Sequence, residues 1–223
     1  MSENSQTRAL LRLMAWLSPA FPIGGFAWSG GLERAVADGL VKSGEDLGAW
    51  LQVVMHHGAL WTDAVLLVEA WRGADDRARL QVLSELGLAL AGSAERFTET
   101  LSLGKAFIAA AAAWSDEVLH RVPKDIPYPV AVGAVAAAHG VPVEQALAAY
   151  LHAAVSQAVS AGIRLGCCGQ TEGVGILAKL EVPIEALTSR ATALTLDDLG
   201  TATVQAEIAS LRHETQHSRL FRS

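Results

Sequence analysis

A run of apolar residues after Pro142 is the feature that most limits how this chain can fold. Apolar side chains recur there every three or four residues, which is the spacing of one face of an α-helix. The residues of this stripe are Val143, Ala146, Leu147, Tyr150, Leu151, Ala154, Val155 and Ala158. Pro142 suits the first helical position, where its missing N–H is not needed. Hydrophobic residues make up 51% of the chain and aromatic residues only 6%, and the abundant alanine favours packed helices over strands.

The rest of the chain repeats this helical spacing, and no segment alternates as a strand would. Ser43 with Asp46, and Thr195 with Asp198, have the spacing of capping boxes at helix starts. Helices are predicted at about residues 8–17, 33–38, 43–61, 62–72, 76–92, 96–117, 128–138, from 142 onward, 176–180, 184–194 and 198–210. A chain of 223 residues can form one domain. We therefore predict an all-α, single-domain bundle of roughly ten helices over residues 1–223, with residues 1–7 loose.

The charge and apolar patterns limit the partners and the compartment. The formal net charge is −6 and basic residues do not cluster, so nucleic acid and anionic membranes are poor candidates. Two uncharged windows, 126–143 and 145–163, are predicted to be buried helices rather than membrane spans, and nothing at the start has the pattern of an export signal. The adjacent Cys167 and Cys168 are expected to be reduced and partly packed in the cytoplasm, because a disulfide between neighbours is strained. Metal binding and redox sensing are the alternatives for these thiols.

Residues 18–33 are predicted to form an ordered loop. The segment holds two prolines, four glycines and three aromatic residues. A flexible linker would not expose Phe21, Phe26 and Trp28 to water.

The last residues, 211–223, have the composition of a docking segment. Leu220 and Phe221 stand between Arg219 and Arg222, and apolar anchors beside arginine are typical of interfaces. We predict a tail that binds a partner protein. A tail folded back on its own domain is the alternative.

The tail also contains His213-Glu214-Thr215-Gln216-His217, which matches the zinc-protease pattern His-Glu-x-x-His. On a helix the two histidines would share a face, with Glu214 as the general base. The six residues after His217 include no third ligand, so we interpret the match as a coincidence. A zinc hydrolase, or a weak nickel or zinc contact at the two histidines, is the alternative.

The glycine-rich stretch 166–175 lacks the Gly-Lys-Ser/Thr of a phosphate-binding loop. Gln170 or Arg164 could instead act in trans on the nucleotide of a partner GTPase. The alternative is a glycine-rich junction between helices in which Gln170 is structural.

Four blocks of residues, in this order, resemble the UreF family of urease accessory proteins across residues 10–223. The first block is Ser18, Pro19, Phe21, Pro22, Gly24, Phe26, Ser29, Gly31, Leu32 and Glu33. The second is Glu95, Arg96, Glu99 and Gly104, and the third is Arg164, Leu165, Gly169, Gln170 and Thr171. The last is His213, Glu214, Thr215, Gln216, Ser218, Arg219, Leu220, Phe221 and Ser223. The chain departs from the family at Cys167-Cys168 and at His217, where the family often has tyrosine.

The resemblance implies an all-helical, dimeric protein with no catalytic residues and no tightly bound cofactor or metal. Such proteins join a UreD/UreH-type accessory protein and a UreG-type GTPase, and the assembly helps install nickel in apo-urease. Nickel is expected to pass through that complex. The candidate partner-binding residues are those of the first block, Arg164, Gly169 and Gln170, and the tail residues His213, Glu214, Thr215, Gln216, Ser218, Arg219, Leu220 and Phe221.

Overall fold

A computed structural model describes residues 3–114 and 117–223, apart from the side chain of Glu3. Over these ranges the chain forms eleven α-helices, three 3-10 turns and no β-strand, which confirms the all-α, single-domain prediction. The α-helices are α1 Glu3–Trp16, α2 Leu32–Ala37, α3 Gly44–His57, α4 Ala59–Arg72, α5 Arg77–Ala89, α6 Ala94–Ala111, α7 Val118–Arg121, α8 Tyr128–Ala138, α9 Val143–Arg164, α10 Gln170–Ala191 and α11 Val204–His213. The 3-10 turns are Gly25–Ala27, Ala112–Trp114 and Leu196–Asp198.

The centre of the fold is α8, which is buried on every side from Pro129 to Ala136. It packs against α4 and α6. Two glycines allow this close approach: a Cβ on Gly133 would lie 2.2 Å from the carbonyl oxygen of Leu67, and one on Gly104 would lie 2.0 Å from that of Ile126. Both distances are too short for any side chain, so the glycines set how closely the three helices pack.

Substitutions at two helical glycines should therefore change stability in opposite directions. Gly104→Ala in α6 is expected to lower the free energy of unfolding by about 2 kcal/mol, because the new methyl group meets backbone that cannot move aside. A Cβ at Gly175 in α10 would have open space around it. Gly175→Ala should therefore raise the free energy of unfolding by about 0.5–1 kcal/mol through helix propensity. Urea unfolding of the two variants measures both effects, and equal shifts would contradict the packing argument.

Several predicted helix bounds are wrong, and packing explains them. Residues 3–7, expected to be loose, belong to α1; residues 1 and 2 lie outside the described part. The expected helix 43–61 ends at His57, because Gly58 is extended and separates α3 from α4. Residues 170–191, expected to be a glycine-rich loop and two helices, form the single helix α10 with Pro183 inside it. Burial of Ile176, Leu180, Ile184 and Leu187 along one face of α10 outweighs the cost of that proline.

The segment after α10 also differs from the prediction. The Thr195–Asp198 capping box is present, but it opens a single 3-10 turn. The helix predicted for 198–210 starts only at Val204. The predicted helix 96–117 ends at Ala111 and continues as a 3-10 turn to Trp114, and residues 115 and 116 of that prediction lie outside the described part.

Helix α9 is, by length and composition, apolar enough to cross a membrane, and α3 with α4 could make a bent second span. Within the fold α9 packs against α10, α8, α4 and α3. Its residues Leu147, Leu151 and Val155 have no exposed surface. The sequence prediction of a buried core helix agrees with this packing.

Candidate functional site

Residues 17–31 connect α1 to α2 and form a loop around the 3-10 turn Gly25–Ala27. Gly24 and Gly31 have φ angles of 74° and 82°, in the left-handed region that favours glycine. The Phe21 ring packs against Phe107 of α6 with ring centroids 5.6 Å apart, which anchors the loop to the core. Phe26, in contrast, is largely exposed.

The chain after α11 folds back onto this loop through main-chain hydrogen bonds. The N–H of Arg222 donates to the carbonyl of Ala27 at 2.8 Å, and the N–H of Ser29 donates to the carbonyl of Ser223 at 3.0 Å. The N–H of Gly30 donates to the Ser223 hydroxyl at 3.1 Å. The tail is therefore folded on its own domain, and partner binding by its exposed residues stays a prediction.

Arg164, at the end of α9, connects the loop to the tail. Its Nη1 donates to the carbonyl of Phe26 at 2.7 Å, and its guanidinium carbon lies 4.2 Å from the centre of the Phe221 ring. This is a cation–π geometry. Phe221 is buried, so it holds the tail on its own domain and is not an exposed anchor for a partner. Gly169 and Gln170 lie apart from this contact, exposed at the start of α10.

Four ionisable side chains, which we call the tail clamp, fix the path of the tail as it leaves α11. They are Glu33 of α2, Glu95 of α6, and His213 and Arg219. His213 has no exposed surface. Its Nδ1 lies 2.7 Å from Oε2 of Glu95 and its Nε2 lies 3.1 Å from Oε2 of Glu33. Nη1 of Arg219 donates to Oε1 of Glu95 at 2.7 Å.

Glu33 also binds the tail backbone directly. Its Oε1 accepts the N–H of Leu220 at 2.7 Å and its Oε2 accepts that of Phe221 at 2.9 Å. Burial of Glu33 raises its pKa, but these two N–H groups and His213 outweigh burial, so the pKa is lowered from its ordinary value. Glu33 is therefore an ionised acceptor that joins the end of the loop to the tail.

The other residues predicted from the sequence have local roles. The Ser18 hydroxyl accepts the N–H of Ala20, and Leu32 is buried. Oε1 of Glu214 accepts the N–H of Ala94 at the start of α6. The remaining members are partly or fully exposed: Pro19, Pro22, Thr215, Gln216 and Ser218. The structure thus brings the predicted loop and tail residues together with Arg164, and leaves Gly169 and Gln170 elsewhere.

A second group, which we call the core charge cluster, lies deeper in the domain. Nη2 of Arg96 is 2.8 Å and 2.7 Å from the two carboxylate oxygens of Asp63. The Tyr150 hydroxyl donates to Oδ2 of Asp63 at 2.8 Å, and Nη1 of Arg96 lies 3.3 Å from Oε2 of Glu99. Burial raises the pKa of Glu99 and of Tyr150. The cluster joins α4, α6 and α9 by charge-assisted hydrogen bonds.

A cavity of about 710 Å³ lies between the core charge cluster and the loop. Asp63, Arg96, Glu99 and Tyr150 line one side of it, and loop residues line another. The sequence analysis did not single out Asp63 or Tyr150 as site residues. A signal was available, because Asp63 interrupts the apolar run of α4, and a carboxylate in such a run needs a buried partner.

The His-Glu-x-x-His match does not form a zinc site of the expected kind. α11 ends at His213, so His213 and His217 do not share a helical face. Both ring nitrogens of His213 already contact carboxylates. Within residues 3–114 and 117–223, no group of three or more His, Cys, Asp or Glu side chains could hold a metal ion.

The two cysteines are free thiols, with Cys167 buried and Cys168 partly exposed. Burial raises the pKa of both thiols. Raised pKa values disfavour the reactive thiolate, which agrees with the predicted packing role.

Helix α11 presents an apolar stripe to solvent. Val204, Ile208 and Leu211 are 64%, 45% and 49% exposed, and their spacing of four and three residues places them on one face. Ile208 borders a groove of about 390 Å³ that Leu40 and Arg212 also line. Neighbouring exposed apolar side chains of this kind make the face a candidate interaction surface.

Comparisons with known proteins show which proteins this chain is similar to. A family model described as UreF matches residues 41–181. The chain is 61% identical over 223 residues to the urease accessory protein UreF of Agrobacterium fabrum, with 100% of both chains covered. The proteins of the same name from Rhizobium johnstonii and Rhizobium meliloti are 61% and 54% identical to it, again over 100% of each chain.

Proposed function

Because the chain belongs to the UreF family of urease accessory proteins, we propose that it is a non-catalytic scaffold for the incorporation of nickel into urease. It acts in the cytoplasm as a homodimer, in complex with a UreD/UreH-type accessory protein and a UreG-type GTPase, and the complex binds apo-urease. Its part is to bind and orient the partners and to modulate the GTPase. A scaffold can do this by binding one state of the GTPase more tightly than another.

The exposed face of α11 is the observation that carries this proposal. Val204, Ile208 and Leu211 form an apolar stripe, and Arg212 stands exposed beside it. Leu220, in the tail that follows this helix, is also exposed. An apolar stripe bordered by the Arg212–Asp38 ion pair fits a protein partner that offers apolar side chains with polar groups around them. We assign this face to the UreD/UreH-type partner.

In this proposal the tail is not a free arm that docks on the partner. His213, Phe221 and Ser223 are buried in the chain's own domain. They support the surface that the partner meets, whereas α11 and Leu220 supply its contacts.

The test is the nickel content and activity of urease expressed with its other accessory proteins, under limiting nickel, with and without this chain. Omission is expected to leave urease folded, poor in nickel and inactive. Equal nickel loading without the chain would overturn the proposed function.

The α11 surface has its own prediction. Ile208→Asp is expected to weaken co-purification with the UreD/UreH-type partner by at least about tenfold, because the interface would bury an unpaired charge. The matched control is Val182→Asp on α10, where the side chain is 71% exposed. Both variants should fold, since exposed substitutions change stability little. If Val182→Asp weakened partner binding as much as Ile208→Asp does, the assignment of this face to the partner would be contradicted.

A further inference from the structure

The tail clamp contains a histidine whose surroundings decide its charge. His213 is fully buried, and each of its ring nitrogens faces a carboxylate oxygen, at 2.7 Å for Glu95 and 3.1 Å for Glu33. A neutral imidazole has one N–H, so its other nitrogen would place a lone pair against a carboxylate oxygen. Only the imidazolium donates from both nitrogens.

We propose that His213 is a protonation-dependent lock, in which the imidazolium holds the tail on the loop and loss of its proton releases the tail. The proposal concerns a conformational property of this chain and does not depend on which partner the chain binds.

The charges around His213 support a coupling between its protonation and the docking of the tail. The clamp carboxylates Glu33 of α2 and Glu95 of α6 face it, and Arg219 of the tail is bound to Glu95. With the imidazolium, these four groups carry two negative and two positive charges. Without its proton they carry one net negative charge, and two carboxylates then face a neutral ring that has no exposed surface, which is unfavourable.

The neighbouring charged groups already have other partners. On α11 itself Arg212 pairs with Asp38 of α2. Glu214 accepts a backbone N–H of α6. His213 is therefore a proton-binding group whose charge bears directly on the position of the tail, in addition to the clamp carboxylate Glu33.

The direction of the effect follows from linkage. In the proposed lock the docked tail requires the imidazolium and the released tail does not, so removal of the His213 proton weakens docking. Release would also remove the bonds from Arg222 and Ser223 to loop residues Ala27, Ser29 and Gly30. Loss of the His213 proton would thus affect the arrangement of both the tail and the loop.

Nuclear magnetic resonance of the full chain, labelled with ¹⁵N, tests this lock. Ring nitrogen shifts report whether His213 carries one N–H or two, and hydrogen exchange reports the protection of the Leu220 and Phe221 amides. Both amides are expected to lose protection at the same pH at which His213 becomes neutral. A neutral His213 ring while these amides stay protected would overturn the lock.

Two variants separate the lock from a general loss of packing. His213→Gln is expected to lower the protection of both amides at least roughly tenfold and to remove the loss of protection on the alkaline side. His217→Gln, an exposed histidine of the same tail, should keep the protection and the pH response of the original chain. A His213→Gln variant that keeps its alkaline transition would also overturn the proposal, and if this variant fails to fold, the measurement on the unmodified chain decides.

Discussion

Replacing Asp63 with alanine is expected to lower the free energy of unfolding by about 3 kcal/mol. The substitution removes the carboxylate that pairs with Arg96 at 2.7 Å and accepts the Tyr150 hydroxyl at 2.8 Å. Arg96 and Tyr150 would then keep a buried charge and a buried hydroxyl without their acceptor. The expected loss lies at the lower end of the range for breaking buried ion pairs, because the Arg96 side chain remains 22% exposed.

Urea unfolding measures this loss as a lower midpoint with an unchanged slope. The matched control is Asp75→Ala, which removes a carboxylate from the surface pair with Arg121, where Asp75 is 97% exposed. That pair is screened by water, so the control should show no measurable change. Similar midpoints for the two variants would mean that the core charge cluster contributes little to stability.

The core charge cluster also explains why a buried carboxylate is kept in a helix as apolar as α4. Asp63 touches side chains from α6 and α9, so one residue fixes how three helices meet at the wall of the cavity. Tyr150→Phe would remove only one of these bonds, and about 1–2 kcal/mol is expected for a hydrogen bond to a charged group. The larger loss expected for Asp63→Ala reflects the additional cost of leaving the Arg96 guanidinium without its carboxylate.

Much of the fold could be predicted from local patterns because helical periodicity is a local property. The stripe from Val143 onward and the signal at Ser43 mark real helices, and the Ser43 hydroxyl accepts the N–H of Asp46 as a cap. The predictions failed where distant contacts decide the outcome. Pro183 and Gly173 indicate a break, yet α10 continues through both, since Gly173 packs against Val159 and Ile163 of α9.

The sequence pointed to candidate residues in the loop and the tail, but it could not predict how they are arranged. Composition marked Leu220 and Phe221 as anchors, and it could not show which of them faces the chain's own core. Only Leu220 is exposed, while Phe221 is covered by Arg164. The tail clamp joins residues more than 100 positions apart in the chain, and one sequence carries no record of such pairings.

Replacing Glu33 with glutamine is expected to release the tail while leaving the helical core folded. The carboxylate accepts the N–H groups of Leu220 and Phe221 and faces His213. A neutral amide has only one acceptor oxygen, and its NH₂ group would point at another donor. The docking free energy of the tail should fall by about 3 kcal/mol, which corresponds to roughly a 100-fold loss of protection at the two amides.

The contact between Glu33 and the tail amides should also depend on pH, and the lowered pKa of Glu33 gives the direction of that dependence. The pKa of Glu33 is lowered below its ordinary value of 4.5 by the docked tail, so its contribution is present above pH 4.5 and is lost as pH falls through the lowered value. The unmodified chain should therefore lose amide protection in acid, whereas Glu33→Gln should lack this acid transition. Glu181→Gln, an exposed carboxylate on α10, is the matched control and should behave as the unmodified chain. If hydrogen exchange found Leu220 and Phe221 equally protected in Glu33→Gln and in this control, the tail would be held by Phe221 packing and its main-chain bonds, and Glu33 would have no part in placing it.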